Sequence, residues 1–161
     1  MKKHGWWIIP VAIMVWVFVL CIVHPSSTVG CSMTPTIKSG DMVICLNYIF
    51  SQPKRGDIIS FSADKINTHP IKRIIGLPGE TIKIHGSAVY INGEELEEPY
   101  IDGQLYTDYG PVTIPNKCLF VLGDNRNNST DSRSIGMISY NDIRGKVILN
   151  LRPIAKGALD E

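Results

Sequence analysis

Three stretches of the chain gather side chains that could do chemistry together. The first is GCSMTPTIKSGD, residues 30–41, in which Ser32 sits between turn-favouring neighbours. Gly30 permits positive φ, and Pro35 biases Thr34 away from helix. A hydroxyl displayed on such a turn projects outward, but it is a poor nucleophile without a base in hydrogen-bond reach. The second is HPIKRIIGLPGE, residues 69–80, where Lys72 interrupts an apolar run. That lysine either points outward and keeps its ammonium in water, or points inward and is desolvated. Burial disfavours the ammonium and lowers its pKa from about 10.4, and a neutral amine could then take the proton of Ser32. Met33, Ile71 and Ile74 are the kind of residues that would supply the apolar surround. The third is GDNRNNSTDSRSIG, residues 123–136, a dense polar run directly after an apolar one. It lacks the spacing of a phosphate-binding or calcium loop, and the overlapping Asn-x-Ser/Thr patterns at Asn127 and Asn128 read as accidental. A hydrogen-bonded structural loop is the plain alternative for this stretch.

The elements that must position these residues follow from the rest of the chain. After Lys2 and Lys3, the segment from Trp6 to Val23 runs without a charge. Its eighteen residues approach the ~20 that cross a hydrocarbon core, and Trp6 and Trp7 suit an interface. A cleaved secretory signal has a shorter apolar core followed by a small-x-small site, whereas here His24-Pro25 follows. The expected organisation is a cytoplasmic N-terminus at 1–5, a transmembrane anchor at 6–23 through the lipid bilayer of the cell membrane, and an extracytoplasmic catalytic domain at 24–161. The lysines before the span set that orientation. Beyond it, Asp41–Tyr48, Asp57–Phe61, Ile71–Ile75, Thr81–His85, Ala88–Ile91, Lys117–Leu122 and Gly145–Leu151 read as strands. Asn92-Gly93 is a hairpin-turn signal. Leu105–Pro115 reads as loop, Glu94–Glu98 as solvated surface, and Tyr140–Ile143 as a helical turn. The pattern predicts a mainly β domain.

Composition excludes several classes. A net charge of +1 and no basic stripe argue against nucleic acid. Cys21, Cys31, Cys45 and Cys118 show no CxxC spacing, and one of them falls in the apolar segment, which speaks against a disulfide framework or zinc site. The four histidines are dispersed. No metal and no cofactor is expected. Arg55-Gly56-Asp57 reads as the end of a turn and the start of a strand.

Together, CSMTPTIKSGD, KRGDIISF, IKRIIGLPGE and GDNRNNSTDSRSIG, in that order, resemble the bacterial type I signal peptidases, and specifically their short single-span form. With the apolar segment, the resemblance covers nearly the whole chain. It implies antiparallel β-sheets in a barrel-like arrangement, and a membrane-bound serine endopeptidase that removes signal peptides from secreted precursor proteins after a small-x-small (Ala-X-Ala-like) motif. It further implies Ser32 as nucleophile and Lys72 as general base. Ser129 would hydrogen-bond and orient the lysine, and Asp131 and Arg133 would steady the loop beside them. Met33 and Ile71 would wall the pocket for the residue before the cut. Gly30 stands where some members carry a serine that helps hold the oxyanion, so the Ser32 N–H would need another donor. Cys31 could be proposed as a thiol nucleophile, but no histidine is paired with it. Two rival functions are a self-cleaving repressor-type serine–lysine protease, for which the chain has no DNA-binding segment, and a catalytically idle membrane-bound binding protein.

Overall fold

The computed structural model describes residues 7–48, 51–63, 68–101 and 108–152. Helix α1 (Ile8–Ile22) leads directly into strand β1 (Val23–Ser27). Strands β2 (Met42–Leu46), β3 (Ile58–Phe61), β4 (Ile71–Gly76), β5 (Thr81–His85), β6 (Ala88–Ile91), β7 (Glu94–Glu95), β8 (Tyr109–Thr113) and β9 (Cys118–Leu122) follow. The short helix α2 (Ser132–Ile135), strand β10 (Ile138–Ser139), a 3-10 turn at Tyr140–Asp142 and strand β11 (Ile143–Leu151) complete the order. Every pairing is antiparallel. A seven-stranded sheet runs β1-β2-β11-β3-β4-β9-β10, and a four-stranded sheet runs β7-β6-β5-β8. The protein is mainly β, with a curled, half-barrel sheet.

Two neighbouring strands carry most of the core. On β4, Ile75 faces one apolar cluster and Ile74 the other; on β9, Phe120 and Leu122 face the first, Leu119 and Val121 the second. Side chains alternate across a strand, so a strand buried on both faces must be apolar at consecutive positions, as IKRIIG and CLFVL largely are. The smaller sheet differs. In β5, Ile82 and Ile84 are buried while Lys83 and His85 are exposed, the alternation of a strand with one wet face. A third cluster of Met33, Ile37, Val43 and Cys45, with Ile71 packed against it, lies beneath the stretch that carries Ser32.

Among the described residues the apolar segment is helical over Ile8–Ile22, fifteen residues, or about 22 Å at ~1.5 Å per residue. No helix among the described residues is long and apolar enough to cross a membrane. Val23 pairs with Leu46 at the head of β1. Residues 24–27, which the sequence left unassigned, continue that edge strand, a position that tolerates Pro25. Leu105–Pro115 is not all loop, because β8 occupies Tyr109–Thr113 and pairs with β5. Its 105–107 portion, like residues 1–6, lies outside the described residues. Glu94–Glu98 is not uniformly solvated either: the Glu98 side chain is buried against Arg126.

Candidate active site

Ser32 enters the site at the head of a turn spanning 32–36. Gly30, with φ of +102°, lets the chain reverse out of β1. The Met33 carbonyl accepts from Ile37 N–H at 2.9 Å, and the Ser32 carbonyl accepts from Asn125 N–H at 3.0 Å. The second bond ties the serine to the polar loop after β9, some ninety residues on. Gly123 makes that approach possible. A Cβ there would lie 2.5 Å from the Ser32 carbonyl oxygen and 2.3 Å from Ser129 Oγ, closer than any side chain tolerates.

Lys72 arrives from β4, on the wall opposite. It is buried, only 3% exposed, so the inward orientation holds and the snorkelling one does not. Its Nζ lies 2.8 Å from Ser32 Oγ and donates to the Ile71 carbonyl at 3.0 Å. Among the described residues it makes no ion pair. Burial pushes its pKa below that of a free lysine, against the opposing pull of Asp131 and Asp124. Those two carboxylates are already engaged by arginines. Asp124 is bidentate with Arg73, at 2.8 and 2.7 Å, and Asp131 with Arg133, at 2.8 and 2.9 Å. Desolvation therefore wins.

Asp131 does more than pair with Arg133. Fully buried, it caps α2 and accepts from Gly123 N–H at 3.1 Å, closing the 123–131 loop on itself. Arg133 also donates to the Arg126 carbonyl at 2.7 Å. Met33 and Ile71 line the same groove as Ser32 and Lys72, a cleft of about 390 Å³. Ser129 is in place beside Gly123, but the hydrogen bond expected from it to Lys72 is not formed, and its Oγ is buried without a hydrogen-bond partner. Nζ is instead held by Ser32 and Ile71. Cys31 is exposed, and its Sγ accepts from Asn128 Nδ2 at 3.1 Å. The larger cavity of the molecule, about 850 Å³, contains neither Ser32 nor Lys72. The chemistry of Ser32 and Lys72 belongs to the smaller groove because that is where they lie.

Sequence reasoning gave Asp124 and Arg126 a structural place at the head of the polar loop but did not single out three other supports of this site, Arg73, Glu98 and Gly123. Arg73, next to Lys72, has its guanidinium 3.9 Å from the centre of the Tyr100 ring and is paired to Asp124, which also accepts from Thr36 Oγ1 at 2.5 Å. The buried Glu98–Arg126 pair holds the loop from the side of the smaller sheet. Gly123 is the third, and its only signal is a glycine placed between a buried strand and a polar run. The arrangement can transfer a proton from a serine hydroxyl to an amine. Among the described residues no cluster of His, Cys, Asp or Glu could hold a metal ion.

Comparison with known proteins places the chain in a family. Residues 1–151 match the family described as signal peptidase, peptidase S26. The chain is 41% identical over 133 residues to a signal peptidase I of Leptolyngbya laminosa, covering 76% of this chain and 66% of that protein. It is 39% identical over 145 residues to a signal peptidase I of Bacillus caldolyticus, covering 80% and 79%. The crystal structure of a signal peptidase I from Enterococcus faecalis V583 superposes with a TM-score of 0.54 at 34% identity, covering 60% of this chain and 97% of that one. With a family match over 151 residues and a shared half-barrel fold, the chain belongs to the S26 signal peptidases and is an enzyme of their type I, serine protease kind.

Proposed function

We propose that the protein cuts signal peptides from secreted precursors after a small-x-small motif, with Ser32 as nucleophile and Lys72 as general base. The observation that carries this reading is the 2.8 Å approach of Nζ to Ser32 Oγ by a lysine whose burial favours the neutral amine. The Ile71 carbonyl takes one N–H of that amine, and rotation about the Cε–Nζ bond can then turn the lone pair to the hydroxyl. Ser32 Oγ attacks the carbonyl carbon before the scissile bond as its proton passes to Nζ. The resulting ammonium gives that proton to the leaving amine, and the acyl group stays on Oγ. Water then attacks the ester with Lys72 again taking the proton, and Ser32 is restored. The Ser32 N–H is one oxyanion donor. Met33 and Ile71 wall a shallow apolar pocket for the small residue before the cut. An extended precursor segment fits between the outer edge of β1 and residues 68–72, adding a strand.

Residues 6–23 anchor the enzyme in the cell membrane, with 1–5 in the cytoplasm and 24–161 outside. The support is an apolar helix whose Ile9, Met14 and Trp16 are exposed, with Trp7 exposed just before it, preceded in sequence by Lys2 and Lys3. Purified enzyme should cleave a secretory precursor at its small-x-small site, while Ser32→Ala and Lys72→Arg should not. Arginine remains protonated at any usable pH, so an active Lys72→Arg would remove Lys72 from the base role. On cells stripped of any wall, external protease should digest residues 24–161, and protection until the membrane is opened would reverse the orientation.

A further inference from the structure

The groove beside Ser32 does not stop at its own walls. Ser26 and His69 line it, and the same two residues line the larger cavity of about 850 Å³. The two compartments adjoin along these residues. Ser32 and Lys72 stand at one end, and His24, two residues past the end of α1, stands at the other. Tyr48, Tyr140 and Arg144 contribute to the wall of the wider part.

That wall holds a cation and, among the described residues, no carboxylate. None of its lining residues is Asp or Glu, and Arg144 has no carboxylate partner among the described residues. Arg144 Nη1 lies 2.6 Å from His69 Nε2. A guanidinium can only donate, so Nε2 accepts, the proton of that imidazole sits on Nδ1, and Nδ1 remains a donor. The Tyr48 hydroxyl already donates to Asp57 at 2.7 Å. A permanent positive charge with no carboxylate partner among the described residues suits a carboxylate and repels an ammonium.

Direction follows from the chain. β1 leads from α1 toward Ser32. A precursor whose own apolar helix lies beside α1 therefore enters the cleft at the His24 end and brings its cut site to Ser32. His69 lies three residues before Lys72 and lines the groove of both Ser32 and Lys72, so at ~3.3 Å per extended residue the precursor residue over it lies about three positions before the cut, and those over the wider part lie further upstream.

We propose that this wider compartment is a second substrate subsite, beyond the pocket for the residue before the cut, which selects a carboxylate over a cationic side chain in that upstream segment. The inference rests on the precursor-cleaving reading above. The test uses the full chain in detergent and one precursor with an unchanged cut-site tripeptide. A single Glu, Gln or Lys is placed in turn at each position from about three to nine before the cut, starting from the residue over His69 at ~3.3 Å per position, and kcat/KM is measured. At one or two adjacent positions Glu should exceed Lys by about fivefold, the scale of an exposed charge pair. Arg144→Gln should level the two, and Arg144→Glu should reverse them; Arg144 is exposed, so both variants fold. A Glu-to-Lys ratio unchanged by Arg144→Glu overturns the subsite, as does a charge dependence confined to residues after the cut. Failure on the parent precursor overturns the precursor-cleaving reading itself, and the same assay separates the two results.

Discussion

Lys72 and Arg73 are consecutive on β4, both are buried, and they face opposite sides of the strand. Arg73 has Asp124 in bidentate contact and the Tyr100 ring against its guanidinium. Lys72 has a hydroxyl and a carbonyl but no carboxylate. The pair separates two uses of buried charge. A compensated cation costs little while its partner stays, and it braces the loop that carries Asp124. One without a paired carboxylate is destabilised as an ammonium, and its pKa falls. The strand is thus structural on one side and, on the proposed reading, reactive on the other.

Removing the reactive member tests the contrast most severely. Lys72→Met should lower kcat by at least about 10³-fold, within the range of a lost general base, yet leave the protein folded and more stable than the parent. The sign follows from linkage: a lysine whose folded pKa is lowered binds fewer protons folded than unfolded, so the parent gains stability as pH rises. That gain spans the window from the lowered value of Lys72 to 10.5, its ordinary one. The advantage of Lys72→Met in denaturant melts should therefore be greatest at low pH and vanish near the upper limit, while parent activity climbs through the lower part of the window. A Lys72→Met protein less stable than the parent at every pH would erase the distinction.

Breaking the structural member should act in the opposite currency. Asp124→Ala strands a buried guanidinium and should cost about 3–5 kcal/mol in urea unfolding; a loss under 1 kcal/mol would mean that Arg73 finds water. Gly123→Ala sits where the two sides meet. It forces the Ser32 carbonyl and Ser129 apart and should cost about 1–3 kcal/mol with a fall in kcat, whereas a silent variant would show that the loop yields freely. Smallest of all, Cys31→Ser should stay within about 0.5 kcal/mol of the parent, as for exposed positions generally, and keep most precursor cleavage. An inactive Cys31→Ser beside an active Ser32→Ala would make the thiol the nucleophile.

The sequence marked β4 through its β-branched run and β5 through its alternation, because burial on two faces or on one leaves a readable period. It marked Ser32, Lys72 and the 123–136 loop through residue type and order. It could not mark β1 or β8: VHPSS and YGPVT carry proline and little apolar content, and they are strands only because β2 and β5 offer them edges. Glu98 looked like its exposed neighbours Glu94 and Glu95 until Arg126, distant in sequence, drew it inside. The environment of Lys72 was undecided for the same reason, since whether a lone cation points in or out depends on what the remainder of the sheet places around it. Ser129 shows the converse: its position was legible, but its hydrogen-bond partner was not.

Ile22 ends α1 and Val23 begins β1, with no residue between them; the Ile22 carbonyl accepts from Asn47 N–H at 3.1 Å, so the joint is clasped to the next strand. A helix joined to a sheet in this way has no linker between them. A tilt of the helix would bear directly on the edge of the cleft, like a gauge fixed to its post. With the helix held in a bilayer as proposed, the reactive hydroxyl would stand at a set height above the lipid. The enzyme would then measure how far a precursor's cut site stands clear of its own apolar segment, and substrates too short or too long for that height would escape cleavage whatever their cut-site residues.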